Sequence, residues 1–158
     1  MILKKLKIYN LKFFIILFSG ISFGSLACEN IKFFKNNIFL KSESNNKIFT
    51  FNVKIADTKA KRETGLKCKK HLDENEGMLF VWKLEDKRYF WMKDTNLFLD
   101  IIFINSNLEI VDIFFNAKPN NIMTITSNKK VKFVLELRAG VFKKNNLDIG
   151  DKLFFQKK

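Results

Sequence analysis

Few residues of this chain combine the chemistry and the spacing needed to engage a ligand. Trp91, Lys93, Asp94 and Thr95 crowd into the stretch WMKDT, and Asp100 interrupts a run that is otherwise apolar from Leu97 to Ile104. In an extended segment Trp91 and Lys93 share one face, while Phe90, Met92 and Asp94 share the other. An aromatic plane beside an ammonium suits a ligand that carries a ring and an anionic or hydroxyl group. Trp91, Lys93, Asp94, Thr95 and Asp100 are therefore the candidate binding pocket. The competing account is structural: a core tryptophan, a solvated lysine, and an Asp-Thr turn closed by side-chain to backbone hydrogen bonds.

Asp100 raises a separate question. By strand alternation it shares a face with Phe98, Ile102 and Ile104, so its charge must meet donors or reach water at a rim. Backbone N–H groups of a turn such as Lys93 to Asn96, or a cation from Lys93 or Arg138, are the expected donors. Asp100 would then be a buried acceptor that fixes the loop after Trp91.

Other constellations are weaker. Cys68 and His71 make a C-x-x-H spacing, but a structural zinc site takes four ligands and no second Cys/His pair exists, so no metal is expected. An inert thiol beside a surface histidine is the favoured account of Cys68, with a Cys28–Cys68 disulfide in an oxidising envelope as the alternative. His71 is the single histidine and sits in a loop without a Gly-x-Ser-x-Gly elbow or a Gly-rich phosphate loop, which argues against a catalytic triad. Met78, Met92 and Met123 are read as packing rather than as copper ligands. Glu136, between Val134 and Arg138, is read as a solvated residue balancing its cationic neighbours.

The N-terminus speaks to compartment. Lys4, Lys5, Lys7 and Lys12 form a basic start, Phe13 to Phe23 is apolar, and GSLA leads to Cys28. That layout is a secretory signal over residues 1–27, too short and too rich in Ser and Gly for a lasting membrane span. Cleavage after Ala27 leaves Cys28 first, where an acyl chain would tether the protein to a membrane. The expected location is the periplasm or cell envelope, with or without that lipid anchor.

The formal charge of +13 suggests a nucleic-acid partner at first sight. Yet only Arg62, Arg88 and Arg138 are arginines, and the lysines are spread among Asn, Ile and Phe rather than clustered with aromatics. Base and phosphate recognition favours Arg forks and stacking platforms, so no nucleic-acid role is expected. Attraction to an anionic membrane surface is the alternative use of that charge.

Beyond residue 27 the dominant period is two. Ile48 to Ala56 places Phe49, Phe51, Val53 and Ile55 on one face, and Ile38 to Ser42 is its expected hairpin partner. Met78 to Lys83 is apolar on both faces and reads as a central strand. Further strands are expected at Leu97 to Asn105, Leu108 to Phe115, Ile122 to Thr126, Val131 to Leu137 and the final LDIGDKLFF. Asp57 to Leu66 and Arg138 to Asn146 read as two short helices. Crossover helices for a parallel sheet are missing, so the fold is expected to be mainly β: one antiparallel barrel or sandwich over 39–158, after a short lead-in at 28–38.

RETGLKCKKHLDENEGMLFVW, YFWMKDTNLFLDIIFI and VKFVLELRAGVFKKNNLDIGDKL together resemble the signature blocks of the bacterial and archaeal family known as domain of unknown function 192. The resemblance runs from about Phe39 to Phe155 and implies a compact, often exported, β-barrel-like domain with no established activity or cofactor. The chain departs from the family pattern at Lys67 and Cys68, usually Met-Phe, at Asp94, usually Asn, and at Leu97 and Phe98, usually Ile-Pro. The turn Ser106 to Leu108 lacks the usual Gly. Gly65, Gly77, Trp91, Met92, Lys93, Thr95, Asp100, Glu136 and Gly150 match, and a shared site would be drawn from them.

The sequence thus points to an exported, non-catalytic β domain that binds a small ligand or an envelope protein without a cofactor. A carboxylate-based hydrolase using Asp94 or Asp100 with Lys93 is the rival, and a purely structural envelope protein is the third possibility. The hydrolase requires those three side chains to converge on one cavity.

Overall fold

Alternation of apolar and polar residues commits most of the chain to strands, and a computed structural model, which describes residues 31–155, arranges nine of them around two short helices. Strands β1 (Lys35–Lys41) and β2 (Ile48–Ala56) form the first hairpin. Helix α1 (Lys59–Thr64) follows, capped by Thr58, whose side chain accepts from the Lys61 N–H, and ended by Gly65 at φ 52°. Then come β3 (Glu76–Asp86), β4 (Tyr89–Phe90), β5 (Leu99–Ile104), β6 (Ile110–Ala117), β7 (Ile125–Thr126) and β8 (Val131–Arg138). Helix α2 (Val141–Lys144) and β9 (Lys152–Phe155) complete the described chain. The expected signal segment, residues 1–27, and Cys28 lie outside the described residues.

Seven strands make one sheet in the order β6-β5-β8-β3-β2-β1-β9, and β4 and β7 pair separately as a small flap. Every pairing is antiparallel except β2 with β3, the pair whose connection passes through α1. The sheet curls until its edges meet. Glu109 bridges Lys152, the Ile110 N–H donates to the Asp151 carbonyl at 2.9 Å, and the Leu153 N–H to the Leu108 carbonyl at 2.8 Å. The mainly β, barrel-like expectation is met by this half-barrel.

Inside the curl, Leu40, Val53, Leu79, Ile102 and Leu135 pack with Phe142 of α2. The outer face carries Met78, Phe80, Ile101, Phe103 and Val134, covered by Leu66 and Leu72 from the segment after α1 and by Met92 and Ile125 from the flap and its approach. Each fully buried side chain of this size contributes about 1.5–3 kcal/mol relative to exposure. Gly77 lets β3 approach β8: a Cβ there would lie 2.7 Å from the Glu136 carbonyl oxygen and 2.8 Å from Leu137 Cδ2. The β5–β6 turn that lacks the family's usual Gly holds Leu108 at φ 64°, a left-handed backbone that costs an L-residue about 1–2 kcal/mol.

Asp100 is 1% exposed, on the inner face of β5. Oδ1 accepts from the Asn116 N–H at 3.0 Å and Oδ2 from the Gly140 N–H at 2.9 Å. Asn116 and Gly140 have φ 55° and 87°, so the carboxylate holds two left-handed positions, one near the end of β6 and one entering α2. The expected donors, the Lys93–Asn96 turn or the Lys93 and Arg138 cations, are not the ones used. β5 lies between β6 and β8, and Leu99 pairs with both Ala117 and Arg138. The reversals beside Asp100 are therefore those that end β6 and β8, and the loop after Trp91 is held by other means.

Asp100→Ala leaves both N–H groups without their acceptor and is expected to lower stability by about 2–4 kcal/mol. Asp100→Asn, which keeps one acceptor oxygen, should lose less. Chemical denaturation of the three proteins measures this, and an unchanged midpoint for the alanine variant would refute the clamp.

Candidate functional site

On the outer face, β3 presents Phe80 and Trp82, two residues apart and therefore on one side of the strand. Phe90 of β4 meets both edge-on, with ring centroids at 5.0 Å from Phe80 and 6.2 Å from Trp82. That geometry satisfies the ring quadrupoles. Arg62 of α1 donates from Nη1 to the Val81 carbonyl at 2.9 Å and lays its guanidinium 5.1 Å over the Trp82 ring. Arg88 approaches the same ring at 4.5 Å.

Phe80, Trp82, Phe90 and Arg62 wall a cavity of about 460 Å³, which Arg88 does not line. Tyr89 and Trp91 also line it and are 67% and 54% exposed, which places them at the mouth. Lys59, Arg62, Glu63 and Lys67 supply charge along the α1 side. Gly65, which ends α1, lines the same wall, where a Cβ would stand 3.6 Å from Phe80 Cζ. The buried polar lining consists of Thr95 and Glu136.

Glu136 is the residue that the sequence misread. Its Cα pairs with Met78 on one side and Ile101 on the other, in the middle of a sheet covered on both faces, and the residue is 5% exposed. Arg138, its expected counterpart, stands exposed at the strand end. The place of Glu136 between Val134 and Arg138 suggested a solvated residue, but α1 and the flap roof that face of the sheet over, so only its ends reach water. The Glu136 carboxyl makes no hydrogen bond to another described side chain or backbone group, and burial pushes its pKa up to about 8. At neutral pH it is mainly a carboxylic acid, with one O–H to donate and a carbonyl to accept. A buried, unpartnered acid facing a cavity is the strongest chemical feature of the molecule.

The sequence-predicted pocket is divided. Trp91 and Thr95 line the cavity; Lys93, Asp94 and Asp100 do not. The ring–ammonium pair exists, with Lys93 Nζ 5.7 Å from the Trp91 ring centroid, although β4 ends at Phe90 and the pair arises from a turn rather than a strand. Asp94 is exposed at φ 59°, a conformation that Asp shares with the family's usual Asn, in the turn closed by the Thr95 N–H on the Met92 carbonyl at 3.0 Å. With both Asp100 oxygens engaged by backbone N–H groups, the convergence that a Lys93-assisted hydrolase needs is not assembled.

His71 is exposed, with Nε2 2.8 Å from Asp73 Oδ1. No group of three or more His, Cys, Asp or Glu among the described residues is placed to hold a metal ion. Cys68 is disulfide-bonded, which corrects the inert-thiol account. The chain's other cysteine, Cys28, lies outside the described residues. Cys68 directly follows the Gly65–Lys67 wall of the cavity.

Burial of Glu136 makes stability depend on pH. Its folded pKa of about 8 lies above the ordinary 4.5, so the folded state holds this proton more tightly. The resulting stability is complete below about pH 4.5, falls as pH rises, and is lost above about 8. Hydrogen bonds from Lys61, Lys144 and Lys69 hold Asp57, Glu74 and Glu76 below the usual carboxylate range, so these groups act at lower pH and in the opposite sense. Denaturation between about pH 5 and 8.5 should show a loss on the order of several kcal/mol that Glu136→Gln removes. Parallel profiles for the two proteins would mean that Glu136 carries its charge when folded.

Comparison with known proteins agrees with this architecture. Residues 40–155 match the model of the family DUF192, described as "Uncharacterized ACR". A UPF0127 protein of Thermococcus sibiricus (strain DSM 12597 / MM 739) is 29% identical over 119 residues, 72% of each chain. A crystal structure from Sinorhizobium meliloti 1021, described as that of a candidate transcription regulator, superimposes with a TM-score of 0.77 at 33% identity, covering 79% of this chain and 96% of its own. A protein of unknown function from Novosphingobium aromaticivorans DSM 12444 gives 0.73 at 27% identity, covering 77% and 85%. Of the residues that the sequence resemblance singled out, Gly65, Trp91, Thr95 and Glu136 stand around the cavity. With the matched region running from β1 to β9, the chain belongs to the DUF192 family of uncharacterised proteins.

Proposed function

We propose that this is an exported cell-envelope protein whose half-barrel holds a small ligand in the aromatic cleft over Glu136, without chemistry of its own. The observation that carries this is the unpartnered, buried carboxylic acid lining a cavity that also takes in Trp82 and Trp91, the two tryptophans of the chain. No donor or acceptor among the described residues engages that carboxyl, so its hydrogen-bonding capacity is left to what fills the cavity, water or a polar ligand. The basic, apolar and small-residue order of residues 1–27 supports export, and a disulfide at Cys68 suits an oxidising compartment. Membrane contact would come through the lysine-rich surface or an acyl chain on the Cys28 amino group, since a lipid on the Cys28 sulfur would leave disulfide-bonded Cys68 with no other cysteine of its own chain to pair with. A DNA-reading role is the poorer fit, since α1 and α2 have six and four residues and the concave feature is an aromatic cleft.

Because both tryptophans line the cavity, their emission reports its occupancy directly. A small-molecule screen by intrinsic fluorescence and thermal shift is expected to find compounds that do both, with the responses reduced in Trp91→Ala. Intact-mass analysis of protein from its native host tests export: a species beginning at Cys28 is expected, and added acyl mass there would establish the anchor. A cytosolic species beginning at Met1 would sink the export proposal.

A further inference from the structure

Resting on that cleft, the structure assigns an acidic saccharide as the occupant: a sugar ring stacked on Trp91 at the mouth, hydroxyls on Glu136 and Thr95, and a carboxylate toward Arg62. The inner rings are already committed to each other, since Phe90 meets Phe80 and Trp82 edge-on. Trp91 is different. It is 54% exposed, with the Lys93 ammonium over its ring and a buried polar floor below it. A flat, half-solvated indole beside hydroxyl-matching groups suits the apolar C–H face of a pyranose.

The polar lining narrows the class. A neutral carboxylic acid offers a donor and an acceptor on one group, and Thr95 offers the same pair on its hydroxyl. Neighbouring sugar hydroxyls present the complementary set. An aliphatic or purely aromatic ligand would cover Glu136 and leave it unsatisfied. A cationic ligand would have to ionise Glu136 and pass Lys59, Arg62 and Lys67, opposed only by Glu63, which is itself 3.8 Å from Lys59 Nζ. The same cationic rim favours a ligand with a negative charge. A volume of about 460 Å³ lies within the usual range for small-ligand sites.

The test uses the whole protein, with tri-galacturonic acid as the acidic saccharide, maltotriose as its neutral counterpart, benzoate as a ring acid without hydroxyls, and choline as a cation. Tryptophan emission and calorimetry give affinities. Tri-galacturonic acid is expected to bind about tenfold tighter than maltotriose, with benzoate and choline weaker still. Trp91→Ala should weaken it roughly tenfold, Glu136→Gln should hold within about threefold because the amide keeps a donor and an acceptor, and Glu136→Leu should lose it. The charged or titratable groups lining the cavity beside Glu136 are Lys59, Arg62 and Glu63 from α1, Lys67 after it and Tyr89 from β4. Above about pH 8, ionised Glu136 should repel the sugar acid in the parent and not in Glu136→Gln. Far-ultraviolet circular dichroism of each variant separates lost binding from lost folding. Tighter binding of choline or benzoate than of either saccharide would overturn the saccharide assignment while leaving the cleft in place. If none of the four probes and no compound in the wider screen altered the emission, both the assignment and the cleft proposal would fall.

Discussion

Three neighbouring strands with residues buried on both faces oblige this sheet to find two covers. β3, β8 and β5 sit side by side, and all six residues of β5 are buried. One cover comes from the sheet itself, which curls until β6 and β9 exchange hydrogen bonds and α2 fills the inside with Phe142. The other must be assembled from what remains: α1, the crosslinked segment after it, and the two-residue strands β4 and β7. Short pieces cannot tile a sheet completely. The cavity lies among these pieces, over the outer face of β8, where the β strand that carries Glu136 passes beneath α1 and the flap.

Buried carboxyl groups separate what holds this fold from what the fold holds ready. Asp100 gives one oxygen to Asn116 and one to Gly140. Asp151, 3% exposed, does the same for the Glu43 and Asp148 N–H groups, each at 2.8 Å. In both, each carboxylate oxygen accepts from a backbone donor at a chain reversal, an arrangement that offsets desolvation and commits the group to the fold. Glu136 is buried to a similar degree without such donors, so its proton stays and its hydrogen-bonding capacity faces the cavity. The distinction lies in position: Asp100 and Asp151 stand where the backbone turns and exposes N–H groups, whereas Glu136 stands mid-strand, where neighbouring N–H groups already serve the ladder.

The strands were legible because period two survives in nearly all of them, and Met78 to Lys83 announced its central place by being apolar on both faces. Gly65 and Gly150, at φ 52° and 96°, marked real chain reversals. What the sequence could not convey was which polar face would be roofed over. Val131 to Leu137 alternates like a half-exposed strand, and only its placement between β3 and β5, under α1 and the flap, turns Glu136 inward. Val134 between Lys132 and Glu136, with the family match at Glu136, was the available signal. Trp91 and Thr95 were found because aromatic and hydroxyl groups clustered in one pentapeptide. Arg62, Trp82 and Phe90 were missed as site residues because they come from three segments that meet only when the second cover closes.

The two halves of the cleft therefore differ in mechanical character. Glu136 is fixed by ladder pairing on both sides, in the best-protected part of the sheet. Trp91 and Thr95 belong to a segment tied to the loop opposite by the Met92 N–H on the Asn121 carbonyl at 2.8 Å and the Asn120 N–H on the Thr95 carbonyl at 3.1 Å. With the Asn120 Nδ2 bond to Asn96 Oδ1 at 2.9 Å and the two residue pairs of β4 with β7, this cover is held by far fewer hydrogen bonds than the sheet beneath it, so local opening is expected there first. In the proposed ligand-binding role, the polar floor would set which groups are accepted, while the aromatic roof would adapt to the outline of what carries them. The Arg62 bond to the Val81 carbonyl ties α1 to β3, so adjustment would fall to the Trp91 side.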